Sequence, residues 1–219
     1  MSPIVKICGL STPETVDAAL EAGADMVGLV FFARSPRNVT HDLAAALAER
    51  ARGRAEIVAL TVDADDAAIA AIVDAIRPDW LQLHGKETPE RCARIKMRTG
   101  LKLMKALGIS ESADIDAALP YIGLVDRILF DAKPPKGAEL PGGNGVAYDW
   151  SLLKELDLGV PVMLSGGLAP DTIAEALAIS GVSAVDVSSG VERERGGKDE
   201  KLIRAFIANA KRAGVGEVK

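Results

Sequence analysis

Apolar residues recur along the chain in two alternating patterns, short runs typical of strands and longer segments with helical spacing. The first run, IVKIC, lies within Pro3–Gly9, and the second, DMVGLVF, is nearly continuous. Runs that are apolar on both faces are typical of strands buried in a parallel sheet. Eight such strands are predicted: Pro3–Gly9, Asp25–Phe31, Glu56–Val62, Asp79–Leu83, Leu101–Leu107, Asp126–Phe130, Val160–Leu164 and Ser183–Val187.

Each predicted strand is followed by a segment with helical signals. The first of these carries Ser11 or Thr12 as a candidate N-cap, Pro13 at a favourable first position and a terminal Gly23. The predicted helical segments are Ser11–Gly23, Asp42–Arg52, Asp65–Ile76, Pro89–Arg98, Glu111–Leu119, Tyr148–Glu155, Pro170–Ile179 and Lys198–Ala213.

This alternation predicts an α/β fold, a single-domain (β/α)8 TIM barrel spanning residues 1–219. The alternative is an open doubly wound sheet, which would carry a glycine-rich dinucleotide fingerprint after an early strand. The residues that follow the first strand, Cys8-Gly9-Leu10, are not such a fingerprint. No linker or shift in composition divides the chain, so one domain is the simplest interpretation.

Reactive side chains stand at the predicted C-terminal ends of the strands, where such a barrel carries its active site. Cys8 ends the first strand, Arg37 lies in the loop after the second, His84 follows the fourth and Asp131 the sixth. An isolated cysteine is more often a packing residue, Arg37 could be a solvated charge, and His84 could be a core or capping residue. Asp131 is harder to explain by packing, because it directly follows the apolar run ILF, where an unpartnered carboxylate is costly.

Glycine-rich stretches follow the last three predicted strands: GGNG (Gly142–Gly145), SGG (Ser165–Gly167) and SSG (Ser188–Gly190). One such stretch alone is often only a turn. Three in adjacent units indicate loops whose backbone N–H groups converge, which is typical of a phosphate site. The candidate phosphate-binding residues are Gly143, Gly145, Gly166, Gly167, Ser189 and Gly190.

Composition and charge narrow the range of partners. The chain has 219 residues, 48% apolar and 26% charged, as in a soluble globular protein. A net charge of −5 argues against a nucleic-acid surface, and the lack of a run of 18 apolar residues argues against a membrane span. Two cysteines, Cys8 and Cys92, without a secretory leader favour the cytoplasm. Neither His41 nor His84 has metal-ligand spacing with them, so no metal is expected.

Seven stretches form a joint signature that extends in order along the whole chain. They are VKICGL (Val5–Leu10), FFARSPRNV (Phe31–Val39), LQLHG (Leu81–Gly85), FDAK (Phe130–Lys133), GGNG (Gly142–Gly145), LSGGL (Leu164–Leu168) and VDVSSGVE (Val185–Glu192). Together they resemble the phosphoribosylanthranilate isomerase family of tryptophan biosynthesis. The GG and SSG stretches alone occur in many phosphate-binding barrels, so the specificity comes from the set.

The resemblance implies an Amadori rearrangement without a cofactor. N-(5-Phosphoribosyl)anthranilate would be converted to 1-(2-carboxyphenylamino)-1-deoxyribulose 5-phosphate. By similarity, Cys8 is the general base, Asp131 is the general acid, and Arg37 holds the anthranilate carboxylate with a planar fork that lysine lacks. His84 and Asp186 are counted among the substrate-binding residues. The expected partner is the phosphorylated sugar substrate, bound by a monomer or a homodimer.

Other functions are disfavoured by single residues. An Amadori isomerase of the histidine pathway would require aspartates at the first and sixth strands, and an indole-forming synthase would require Lys and Glu. Cys8 on the first strand disfavours both. A non-catalytic barrel that senses a phosphorylated ligand would have lost the acid or the base, and both residues are present.

The charged residues near the predicted site lead to three expectations. Lys6 shares a strand face with Cys8 and is expected to favour its thiolate. Because barrel closure places the first strand beside the eighth, Lys6 and Asp186 are expected to pair inside the barrel. The pKa of Asp131 is expected to rise through its apolar setting or through the substrate's anions, in the complex if not before.

Overall fold

A computed structural model describes residues 2–134, 137–138, 140, 142–143 and 145–213. Eight parallel strands form a closed barrel in chain order, with the first strand paired to the eighth. The predicted (β/α)8 barrel is therefore confirmed. The strands are β1 (Ile4–Cys8), β2 (Met26–Phe31), β3 (Glu56–Thr61), β4 (Trp80–Leu83), β5 (Lys102–Ile109), β6 (Arg127–Ala132), β7 (Val162–Leu164) and β8 (Ala184–Val187).

Aspartates that the sequence analysis placed inside strands lie just before them. The carboxylates of Asp25, Asp79 and Asp126 each accept a hydrogen bond from a backbone N–H of the preceding strand, at 2.7 to 2.8 Å. Satisfying these otherwise unpaired donors is a capping role, which explains why a polar residue precedes β2, β4 and β6.

Six α-helices are present in the described part of the chain. Threonine or aspartate caps four of them by accepting a hydrogen bond from the backbone N–H three residues on, as Thr12 does for Thr15. Each such cap contributes about 1 kcal/mol and sets where the helix leaves its loop. The helices are α1 (Pro13–Glu21), α2 (His41–Ala51), α3 (Asp66–Ile76), α4 (Pro89–Thr99), α5 (Ile173–Ser180) and α6 (Glu200–Ala213).

Two predicted helices are 3₁₀-helical, over Ser112–Tyr121 and Trp150–Leu153. The first contains Pro120, which lacks a backbone donor, together with serine and aspartate, which compete for backbone hydrogen bonds. Tight short turns are the usual result of such sequences.

A small antiparallel hairpin follows the barrel and was not predicted. After a 3₁₀ turn at Ser189–Val191, β9 (Glu192–Glu194) pairs with β10 (Gly197–Lys198). The last helix was predicted to begin at Lys198. It begins at Glu200 instead, because Lys198 is part of the second strand of the hairpin. The hairpin lies at the C-terminal end of the barrel, beside the loop that carries Arg37.

The core has two layers separated by the barrel wall. Val5 and Ile7 of β1 pack outward with the helices, while Lys6 and Cys8 share the opposite face, as predicted. Inside the barrel, an apolar cluster comes mainly from residues at or near the starts of the strands. The barrel interior is therefore filled by apolar side chains near the N-terminal ends of the strands. It is polar towards their C-terminal ends, where the reactive side chains lie. The inner cluster consists of Met26, Val58, Trp80, Met104, Ala106, Leu129, Met163 and Ala184.

None of the helices in the described ranges combines the length and apolar character needed to cross a membrane.

Candidate active site

The C-terminal ends of the strands surround an open pocket, at the end of the barrel where this fold binds its ligands. Ten of the eleven predicted site residues line it: Cys8, Arg37, His84, Asp131, Gly143, Gly145, Gly166, Gly167, Asp186 and Ser189. Gly190 lies behind the lining, packed against the backbone of Leu168. Asn144, within the predicted GGNG stretch, lies outside the described residues.

Cys8 ends β1 with its side chain inside the barrel, where the residue is 4% exposed. Burial raises the pKa of the thiol above its usual value, and the positive charges of Lys6 and Lys198 oppose this rise without cancelling it. The effect of Lys6 on the pKa of the thiol has the expected sign, but it is smaller than the effect of burial. The Asp186 carboxylate beside Lys6 adds to the effect of desolvation and also raises the pKa of the thiol.

Asp186 faces Lys6 across the β1–β8 pairing. Lys6 Nζ donates to Asp186 Oδ1 at 2.7 Å, and both side chains are at least 95% buried. The predicted pair is confirmed. Burial alone would lower the pKa of Lys6, but Asp186 and Cys8 raise it above its usual value, so the ammonium stays charged. Ser165 at the end of β7 adds a long hydrogen bond of 3.4 Å to Asp186 Oδ2.

Gly28 on β2 makes room for these groups and was missed by the sequence analysis. It pairs with Cys8, and a Cβ atom at this position would lie 3.1 Å from both Cys8 Sγ and Lys6 Nζ. A lone glycine inside an apolar strand is the signal that could have found it, because such residues often mark a close approach of another group.

Asp131 was predicted to follow the sixth strand directly, but it lies within β6, which extends to Ala132. The residue is 7% exposed. Its Oδ1 accepts from the backbone N–H of Ala132 at 2.9 Å, and Oδ2 lies 3.5 Å from His84 Nε2. β7 and β8 separate this strand from β1 around the barrel. The carboxyl group and the Cys8 thiol therefore approach the pocket from different sides.

His84 is oriented by Gln82, a second residue that the sequence analysis missed. Gln82 Nε2 lies 3.0 Å from His84 Nδ1. When the amide donates this hydrogen bond, the neutral imidazole carries its proton on Nε2, facing Asp131. Gln82 is fully buried in the apolar run WLQL, and a buried amide needs a partner, so its presence there was a usable signal.

Arg37 is 4% exposed and is held by Glu192, so it is not a solvated loop charge. Its Nε and Nη2 donate to the two carboxylate oxygens of Glu192 at 2.6 and 2.9 Å, and Nη2 also donates to the Gly143 carbonyl at 3.2 Å. Glu192 lay within a stretch quoted for the family resemblance, but no role was assigned to it. The remaining nitrogen, Nη1, makes no hydrogen bond within the described part of the chain.

The glycine-rich loops after β6, β7 and β8 converge, as predicted. Gly167 has φ of +70°, and a Cβ atom there would overlap Ala147 in the loop after β6. Gly145 approaches Ser189 in the loop after β8. Closely packed backbone of this kind is what a phosphate site requires, and phosphate binding itself remains a prediction.

No cluster of three or more histidine, cysteine or carboxylate side chains suited to a metal ion occurs in the described ranges. Cys8 and Cys92 are both free.

Comparison with known proteins places these features in a family. A family model described as N-(5'phosphoribosyl)anthranilate (PRA) isomerase matches residues 5–209. The curated N-(5'-phosphoribosyl)anthranilate isomerase of Rhodopseudomonas palustris (strain BisA53) is 60% identical over 207 residues, which cover 94% of this chain and 95% of the relative.

Solved structures give the same result. The crystal structure of phosphoribosyl anthranilate isomerase from Thermotoga maritima matches with a TM-score of 0.85 and 35% identity, over 95% of this chain and 98% of that one. A crystal structure of a phosphoribosyl anthranilate isomerase in complex with reduced 1-(o-carboxyphenylamino)-1-deoxyribulose 5-phosphate matches with a TM-score of 0.81 and 33% identity, over the same two shares.

Proposed function

Because the chain belongs to the N-(5'-phosphoribosyl)anthranilate isomerase family, we propose that Cys8 and Asp131 perform the proton transfers of that reaction. The enzyme converts N-(5-phosphoribosyl)anthranilate to 1-(2-carboxyphenylamino)-1-deoxy-D-ribulose 5-phosphate in tryptophan biosynthesis. The observation that carries the residue assignment is a thiol and a carboxyl group that enter one pocket from different strands.

Asp131 is the proposed general acid. Opening of the ribose ring breaks the bond between C1 and the ring oxygen, and the oxygen must gain a proton as the anthranilate nitrogen forms a double bond to C1. The second oxygen of Asp131 faces His84 Nε2, and this contact supports a fixed orientation for the carboxyl group.

Cys8 is the proposed general base. As a thiolate it removes the proton from C2 of the open-chain iminium ion, which gives an enolamine. The enolamine then loses its hydroxyl proton and gains one at C1, which yields the ketone product and keeps the protons in balance. Since burial raises the pKa of the thiol, the opposing charges of Lys6 and Lys198 are what support formation of the thiolate.

The two ends of the substrate are assigned to different walls of the pocket. Arg37 would bind the anthranilate carboxylate, and the apolar lining at the ends of β2 and β3 would contact the aromatic ring. The converging loops after β7 and β8 would bind the phosphate. The apolar lining consists of Val30, Phe32, Leu60 and Val62.

The direct test is turnover without any cofactor. Pure protein is mixed with freshly prepared phosphoribosylanthranilate, and the loss of substrate fluorescence is followed together with formation of the ketone. We expect complete conversion. Binding of the substrate without turnover would contradict the acid–base assignment and would instead support a sensor that retains only the phosphate site.

We also infer a cytoplasmic location and no nucleic-acid or membrane partner. Two free cysteines suit a reducing compartment, and the net charge of −5 disfavours binding to polyanions. The assembly is proposed to be a monomer or a homodimer. One solved structure is described as mutually generated monomers of the dimeric phosphoribosylanthranilate isomerase from Thermotoga maritima.

A further inference from the structure

A buried cluster of charges lies directly behind Arg37 and is formed by the hairpin after the barrel. The Glu192 side chain is 4% exposed and accepts four hydrogen bonds. Oε1 accepts from Arg37 Nε at 2.6 Å and from Lys198 Nζ at 2.7 Å, while Oε2 accepts from Arg37 Nη2 at 2.9 Å and from the Gly196 backbone at 3.0 Å. The carboxylate is therefore fully used in holding its neighbours.

Lys198 connects this cluster to β1, the strand that carries Cys8. Its side chain is 1% exposed and donates to Glu192, to the Ser188 carbonyl at 2.8 Å and to Ser188 Oγ at 3.0 Å. The Ser188 hydroxyl in turn donates to the Cys8 carbonyl at 3.1 Å. The hairpin thus connects Arg37 and the end of β1 through one continuous network.

Among the described residues, Arg37 has one guanidinium nitrogen, Nη1, that makes no hydrogen bond. Its Nε and Nη2 edge is occupied by Glu192, and Nη1 stands next to Gly143, which lines the pocket. With Arg37 and Lys198 cationic and Glu192 anionic, the cluster carries one net positive charge. A fixed guanidinium with surplus positive charge favours an anion, because the ordering of a long side chain has already been completed in the free protein.

A purely stabilising role explains this cluster poorly. Buried ion pairs are weak sources of stability, since the cost of desolvation offsets most of the attraction. The three charged side chains of this cluster are each no more than 5% exposed, so burying them has a large desolvation cost. Attachment of a two-stranded hairpin alone does not require that cost. Orientation of Arg37 is a use that requires the charges.

We propose that Glu192 and Lys198 are positioning residues that hold Arg37 for the carboxylate of the substrate. This inference rests on the proposed role of Arg37 in binding that carboxylate. Neither residue touches the reacting atoms in this assignment. Through Arg37, both residues act on the affinity for one group of the ligand, and the charge of Lys198 also acts on Cys8.

The test compares two ligands that differ only in the carboxylate. One is reduced 1-(o-carboxyphenylamino)-1-deoxyribulose 5-phosphate, and the other is its phenylamino counterpart. Binding is measured by calorimetry for the wild type, Arg37→Ala and Glu192→Gln, with Glu194→Gln as the control, because Glu194 is exposed on the same hairpin.

We expect Glu192→Gln to weaken binding of the carboxylated ligand roughly tenfold or more, the scale of one charge-assisted hydrogen bond, and to leave the phenylamino ligand unchanged. Steady-state kinetics should show a raised KM with a smaller change in kcat. Glu194→Gln should change neither. In the double variant with Arg37→Ala, the two losses should not add, because both act through the same guanidinium.

Each contrary outcome has a distinct meaning. Equal loss for both ligands, or no loss, would overturn the positioning role while leaving Arg37 as the carboxylate ligand. If Arg37→Ala leaves the preference for the carboxylated ligand intact, the proposed role of Arg37 fails, and this inference fails with it. Should Glu192→Gln not fold, as judged by circular dichroism, Lys198→Met is measured instead. It must then show a selective loss of affinity for the carboxylated ligand.

Discussion

At Cys8, burial and neighbouring charge act on the thiol in opposite directions. A buried thiol resists ionisation, whereas Lys6 and Lys198 favour the anion. Asp186, which is bonded to Lys6, adds a negative charge that also raises the pKa of the thiol. A base whose pKa lies above neutrality is a stronger proton acceptor once it has formed, so the raised pKa is compatible with abstraction of a carbon-bound proton.

Replacing Cys8 by serine should lower kcat by roughly 10² to 10⁴, the usual worth of a general base. The fold should be retained, because serine is close in size and the site already contains polar groups. Steady-state kinetics of the purified variant is the measurement. Cys92→Ser is the matched control, since Cys92 is buried away from the pocket, and its kcat should stay near that of the wild type. A wild-type rate for Cys8→Ser would exclude the base role.

Asp131→Asn should lower kcat by about 10² or more, with a much smaller change in KM. Asparagine keeps the shape of the side chain but cannot deliver a full proton to the ring oxygen. An Asp131→Asn variant that turns over at the normal rate would move the acid role to another group, with His84 the next candidate.

At the scale of elements, the loops after β6, β7 and β8 act as one unit because they pack on each other at close range. Gly167 is the point of closest approach to the preceding loop, where its backbone meets Ala147. Gly159 has nearly the same positive φ, +67° against +70°, but no atom lies within 4 Å of the position that its Cβ would take. Substituting alanine at each of the two glycines therefore distinguishes the effect of steric contact from that of backbone strain.

Inorganic phosphate should compete with the substrate, because the converging backbone would bind any such dianion. We expect Gly167→Ala to weaken this inhibition by roughly an order of magnitude, since the new methyl group forces two loops apart by its overlap with Ala147. Gly159→Ala carries the same backbone strain without the overlap and should leave inhibition unchanged. The measurement is the inhibition constant for phosphate in each variant. Equal values in both variants would show that these loops do not bind phosphate.

For the whole molecule, the buried charges couple stability to pH. Burial alone would raise the pKa of Glu192, but hydrogen bonds from Arg37 and the charge of Lys198 lower it to about 2, against an ordinary value of 4.5. A depressed carboxyl pKa contributes stability above the unfolded value, and that contribution is lost as the pH falls from about 4.5 towards 2.

The free energy of unfolding should therefore differ most between the wild type and Glu192→Gln above pH 4.5, and the difference should shrink towards pH 2. Urea titrations of both proteins at several values between pH 6 and pH 3 measure this difference directly. Other carboxylates titrate equally in the two proteins and cancel. A difference that stays constant over this range would mean that the Glu192 carboxylate is not held by its cationic neighbours.

Much of this organisation was predictable from the sequence alone. Parallel strands buried on both faces appear in the sequence as short, nearly continuous apolar runs separated by helical segments. The eight-stranded barrel could therefore be predicted from local patterns. The ends of those strands then located Cys8, His84 and Asp131 without coordinates, because this fold places its chemistry there. The pairing of Lys6 with Asp186 followed from closure of the barrel and strand parity.

Other features depended on contacts between residues far apart in the chain, and only the tertiary structure decided them. The bonds from Arg37 to Glu192 join positions 155 residues apart, and no local pattern encodes such a pair. Lys198 was predicted to begin a helix, because the hairpin that holds its side chain forms through strand pairing that local periodicity does not reveal. The protonation of Cys8 is likewise a balance between desolvation and three neighbouring charges, which depends on distances that the order of residues does not specify.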